Sequence, residues 1–117
     1  MKTLSTLLLL FVLSTAKAQI GNVKETNGSL DIINENGIYE GYINMSNGDY
    51  LAGFNNQYVV VVKNNEATIY DIKGKYVNDI RLCSDCKVKN VTSTNILISE
   101  GSRTLRYDFK GRYLGEL

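Results

Sequence analysis

The chain has 117 residues, 44% of them hydrophobic, with 13 basic and 12 acidic side chains and no His, Pro or Trp. That length holds one domain, or one domain plus a tail, and its apolar content is too high for a disordered chain. Near-neutral charge leaves no basic excess for nucleic-acid binding, and the missing His removes the commonest general base near neutral pH and a preferred zinc ligand.

Residues 1–18 read as an export signal. Lys2 gives a positive start, Leu7 to Leu13 form an apolar run, and Ala16-Lys17-Ala18 places small residues where a signal peptidase reads. The run is shorter than the roughly 20 residues a bilayer demands, and no later segment approaches that length, so no membrane span is expected. Cleavage after Ala18 would release a chain beginning at Gln19, with a net charge of −1 once Lys2 and Lys17 are gone. The expected product is exported, periplasmic or extracellular, with residues 19–117 as a single all-β repeat domain.

A spacing of 37 residues organises that domain. Tyr70-Asp71-Ile72-Lys73-Gly74-Lys75-Tyr76 and Tyr107-Asp108-Phe109-Lys110-Gly111-Arg112-Tyr113 share five of seven residues in this register. The same step runs back to Gly37 and Tyr39, and apolar positions keep time with it, as in Val23, Val60 and Leu97. Turn residues recur in phase: Asn27-Gly28, Asn64-Asn65 and Gly101-Ser102, then the three glycines 37, 74 and 111, then Asn47-Gly48 and Ser84-Asp85. Gly and Asn tolerate the positive φ that tight hairpins demand.

In chain order, strands are expected over Asn22–Glu25, Leu30–Ile33, Ile38–Met45 and Tyr50–Phe54 in a first copy. A second copy holds Tyr58–Val62, Ala67–Asp71, Lys75–Leu82 and Lys87–Val91. A third holds Ile96–Ile98, Thr104–Asp108 and Arg112–Leu117. The run Tyr58-Val59-Val60-Val61-Val62 is too short for a helix and reads as a strand buried on both faces. No window carries a helical period. The fold class is all-β, with three tandem antiparallel repeats and about eleven strands, the third copy stopping short of a twelfth.

The segments Val59 to Ile80 and Ile96 to Leu117 each run from an apolar strand through a short turn, a Tyr-Asp strand and a Gly-x-Tyr return. In this they resemble a blade of a β-propeller, which implies an inner strand from Tyr50 or Lys87 and an outer strand after each Gly-x-Tyr. Propellers have four to eight blades, so the leftover edges need cover or pairing. A β-trefoil is the rival architecture and would need the absent twelfth strand. The chain also resembles small exported repeat proteins of Gram-negative bacteria, a likeness that implies no activity.

The one C-x-x-C, Cys83-Ser84-Asp85-Cys86, reads as a local disulfide in an oxidising compartment. A thioredoxin-like dithiol requires an activated thiolate at a helix N-terminus, and no helix is expected. Zinc needs four ligands, and one Cys pair supplies them only if two chains share the ion, so no metal and no cofactor are expected. Tyr70-Asp71 and Tyr107-Asp108 have the composition of a sugar-binding pair, while Ile33-Asn34 at the matching place favours a role for Asp71 and Asp108 in capping the adjacent turn. Tyr39, Tyr76 and Tyr113 could form an aromatic recognition set or pack against the neighbouring repeat with hydroxyls at the rim. A calcium loop is not met around Asp31 to Gly37, and no catalytic motif occurs.

The expected function is therefore a non-catalytic binding or protein-interaction module, with an unidentified protein or glycan as partner and Tyr39, Tyr76, Tyr113, Tyr70, Asp71, Tyr107 and Asp108 as candidate contacts. The alternatives are a self-assembling protein that closes its sheet edges as a homo-oligomer, and a redox protein using Cys83 and Cys86.

Overall fold

The computed structural model describes residues 17–117; residues 1–16 of the segment read as an export signal lie outside the described residues. Eleven strands run in order: β1 Ile20–Thr26, β2 Ser29–Asn34, β3 Tyr39–Asn44, β4 Tyr50–Phe54, β5 Val59–Lys63, β6 Glu66–Tyr70, β7 Tyr76–Arg81, β8 Cys86–Val91, β9 Ile96–Glu100, β10 Arg103–Tyr107 and β11 Tyr113–Glu116. They form three antiparallel sheets, β1-β2-β3, β4-β5-β6-β7 and β8-β9-β10-β11. The described residues contain no helix, so none is long and apolar enough to cross a membrane.

The strand count matches the sequence expectation, but the phase does not. The short sheet is the first, not the third, because β4 and β8 open the second and third sheets instead of closing the ones before them. A 37-residue spacing fixes which positions correspond; it leaves open which connection crosses from one sheet to the next. Neither a ring nor a barrel closes among the described residues.

The sheets stack face to face, and β5 shows why its sequence is continuously apolar. Val59 and Val61 pack with Val23, Leu30, Ile32 and Ile43 of the first sheet. Val60 and Val62 point the other way, against Ile96, Ile98 and Leu105 of the third, together with Ala67, Ile69 and Ile80. Alternation along a strand sends successive side chains to opposite faces, so a strand covered on both sides has no position left for a polar residue. Tyr58 stacks on Phe109 at 4.7 Å between ring centres, closing the second interface at one end.

Corresponding turns are built alike. Gly37, Gly74 and Gly111 have φ of 80°, 79° and 79°. In each, the amide donates to the carbonyl three residues earlier, at 3.0, 3.0 and 3.2 Å. Register shifts fall beside each of these turns, at Ile32/Ile33, Ile69/Tyr70 and Arg106/Tyr107. The later two turns also dock on the outer strand of the preceding sheet. Lys73 forms a salt bridge with Glu40 at 2.5 Å, and Asn78 Nδ2 donates to the Lys110 carbonyl at 2.5 Å.

Candidate functional site

Asp71 and Asp108 are occupied by their own turns. Oδ1 of Asp71 accepts the amides of Lys73 and Lys75 at 2.9 and 3.0 Å. Oδ1 of Asp108 accepts those of Lys110 and Arg112 at 3.0 and 2.9 Å. Asn34 does the same for Asn36 and Ile38 at 2.8 and 3.0 Å, which explains why Asn and Asp exchange at this place. The second oxygen of Asp108 meets Arg112 Nε at 2.7 Å.

The amide of Arg112, aided by its guanidinium and the Lys110 amide, holds the Asp108 carboxyl below its ordinary pKa. A depressed folded pKa adds stability above the ordinary carboxylate pKa, and that contribution is lost as pH falls toward the folded value. Asp108→Asn keeps the turn acceptor but does not titrate. Its acid unfolding curve is expected to fall less steeply than that of the wild type below about pH 4. Parallel curves in urea titrations across pH would contradict the assignment.

Tyr70 and Tyr107, the last residues of β6 and β10, are half-buried against the two cores. The Lys63 ammonium stands 5.7 Å from the Tyr70 ring centre, and Tyr107 meets Tyr113 edge to face at 5.5 Å. Tyr39, Tyr76 and Tyr113 each open the outer strand of one sheet, opposite Ile33, Tyr70 and Tyr107 respectively. They are exposed by 54%, 59% and 53%, so they do not serve mainly as packing between sheets. The Tyr76 hydroxyl donates to Asp79 Oδ2 at 2.8 Å, which raises the phenol pKa. Tyr42 and Tyr50 are also exposed; sequence reasoning missed them because neither recurs at the 37-residue step.

Between the first and second sheets runs a cleft of about 440 Å³, lined by Tyr42, Asn44, Lys63, Tyr70, Lys73 and Gly74. Its two cations are engaged. Lys73 pairs with Glu40, whose pKa is lowered first by that bond and then by Asn34, and Lys63 donates to the Asn44 carbonyl at 2.8 Å and lies 3.7 Å from Asp49. What remains free there is aromatic and amide surface.

The two end faces of the stack are polar where the interior faces are apolar. Val59 and Val61 have Asn22 and Lys24 in the corresponding places of the first sheet, and Ala67 and Ile69 have Thr104 and Arg106 in the third. On the first sheet Lys24, Asp31 and Tyr42 form one cross-strand row. On the third, Lys87 aligns with Ser99 and Thr104, and Asn90 with Leu97, Arg106 and Gly115. Polar outer faces are how stacked-repeat proteins avoid further stacking.

Cys83, in the connection from β7 to β8, forms a disulfide with Cys86, the first residue of β8. Asp85 Oδ1 lies 3.2 Å and Glu100 Oε2 3.6 Å from Cys83 Sγ. A redox dithiol needs an electropositive setting that favours thiolate; two carboxylates supply the opposite.

No family model matches the chain, and no curated protein matches it. Among solved structures, it is similar to a protein of unknown function from Bacteroides caccae, whose crystal structure was determined at 1.35 Å resolution. The TM-score is 0.53 at 15% identity, and the alignment covers 85% of this chain and 39% of that one. This chain therefore spans about two-fifths of that protein's length. The likeness is one of fold.

Proposed function

We propose that the chain is an exported, non-catalytic binding module: three propeller-blade-like copies of one unit, presenting a row of tyrosines to a neutral glycan. The observation that carries this reading is the exposed Tyr39, Tyr76 and Tyr113 set, one per sheet, at the same place on each outer strand. Rings with an apolar face and a polar tip suit a ligand that is itself apolar on one face and hydroxylated at its edges. Stacked sheets pack about 10 Å apart, so the row favours an extended chain over a compact ligand. The nearby cleft lies within the usual range for ligand sites, and its paired cations favour an uncharged occupant.

Self-assembly as a homo-oligomer that closes the sheet edges is the alternative reading; the polar residues on both end faces argue against further face-to-face stacking and leave pairing at the edges as its route. Redox work through Cys83 and Cys86 is weaker still, given the carboxylates beside the sulfur.

The test is affinity electrophoresis through gels containing individual neutral polysaccharides. The wild type is expected to be retarded by at least one of them. Each of Tyr39→Ala, Tyr76→Ala and Tyr113→Ala should remove about 1–2 kcal/mol of binding, while urea unfolding should show a stability loss of no more than about 0.5 kcal/mol for Tyr39→Ala and about 0.5–1.5 kcal/mol for Tyr76→Ala and Tyr113→Ala, which lose the Asp79 hydrogen bond and the Tyr107 ring contact. Migration that no neutral glycan alters, or retardation that survives the triple substitution, would defeat the reading.

A further inference from the structure

The fold sets two carboxylates beside the Cys pair. Asp85 comes from within the motif, and Glu100 arrives from the end of β9, seventeen residues along the chain. The sulfurs of Cys83 and Cys86 and one carboxylate oxygen each from Asp85 and Glu100 all lie within 4.8 Å of one another. We propose that the reduced form of this cluster is a binding site for a thiophilic divalent cation of the zinc class.

The donor set fits such an ion. Zinc takes four ligands drawn from thiolate, imidazole and carboxylate, with a two-residue gap as a common Cys spacing. Bonds of about 2.0–2.3 Å in a tetrahedron set ligand atoms about 3.3–3.8 Å apart; the carboxylate oxygens stand within 4.8 Å of the sulfurs, and the two sulfurs, bonded to each other in the disulfide, must part to that spacing once the bond is cut. Two thiolates bias the site toward zinc-like ions over magnesium or calcium, which prefer oxygen alone. Glu100 is already held in place: its other oxygen accepts from Arg103 Nη1 at 3.0 Å, the kind of outer contact that orients a metal ligand and tempers its charge.

The chemistry balances in two steps. A phosphine reductant takes the disulfide to two thiols, one water supplying the oxygen of the phosphine oxide and the two hydrogens of the thiols. Binding of the divalent ion then releases both thiol protons to solvent. In the oxidised form the sulfurs are bonded to each other and offer no thiolate, so the same residues form a covalent tie or an ion site, never both. The metal form also differs in reach. The disulfide closes a loop within the β7–β8 connection, whereas an ion held by Glu100 fastens that connection to β9.

Cobalt(II) is the probe, added to the full mature chain after reduction with a phosphine. The reduced wild type is expected to bind one ion per chain, with thiolate-to-cobalt charge-transfer absorption and the intense visible bands of a tetrahedral ion. Without reduction it should show neither. Glu100→Gln and Asp85→Asn each keep both thiols and should weaken binding by roughly tenfold or more; Ser84→Ala is the unaffected control. Absence of the thiolate-cobalt absorption in the reduced wild type overturns the proposal. So does undiminished affinity in either carboxylate variant, or a stoichiometry of one ion to two chains. None of these readouts depends on glycan binding.

Discussion

Gly74→Ala is expected to destabilise the fold by about 2–5 kcal/mol, and Gly37→Ala by only about 1–2, although the two glycines share the same φ within a degree. The left-handed backbone conformation alone costs an L-residue about 1–2 kcal/mol, and both variants incur it. The difference lies in what surrounds them. A methyl group at Gly37 meets nothing, whereas one at Gly74 runs into the Tyr42 carbonyl of the neighbouring sheet. That carbonyl is backbone within β3 and moves only if the first and second sheets separate. Gly41 faces the same approach from the other side, against the Lys73 carbonyl, so the two glycines together let the turn sit directly on the strand. Urea unfolding of the two variants side by side isolates the sheet-to-sheet contact from the cost of the turn. Equal losses would mean that the sheets are not held this closely.

The three-fold recurrence of Gly37, Gly74 and Gly111 was legible because left-handed turns restrict the choice of residue, and Asn34, Asp71 and Asp108 because one side-chain oxygen must accept two amides. The Val59–Val62 run was legible because burial on both faces suppresses alternation. The sheet boundaries were not. Met45 to Asp49 and Leu82 to Asp85 have the composition of hairpin turns, yet each carries the chain across to the next sheet; in both places a short polar loop serves equally well. Nor was the approach of Glu100 to Cys83 legible, since it follows from the pairing of β8 with β9, which sets Glu100 opposite Cys86, and the repeat spacing alone assigned the Lys87–Val91 strand to the copy before.

Thr104→Ala combined with Arg106→Ile should make the protein self-associate more strongly than the wild type, through the outer face of the third sheet. The substituted residues are those that the second sheet carries at the same places, Ala67 and Ile69, both buried between sheets. On the third sheet the positions face outward beside Leu97 and the exposed Leu117, so the variant presents a continuous apolar face. The introduced Ile gains about 1.5–3 kcal/mol when another copy covers it, and the introduced Ala about 0.8. The first sheet's face keeps Lys24 and Asp31, so the favoured partner is the same face of a second copy, an arrangement that closes at two. The folded monomer should not be weakened by the change, because Arg106 Nε is buried without a hydrogen-bond partner and its removal relieves that cost. The reverse exchange, Ile69→Arg, is expected to unfold the chain outright, since it buries an unpaired charge between two sheets at a cost of roughly several kcal/mol. Sedimentation velocity across a concentration series reads the first result and circular dichroism the second. A double variant that self-associates no more than the wild type at about 100 µM, where even a weak contact of roughly 5–6 kcal/mol would register, would show that the polar residues are not what ends the stack.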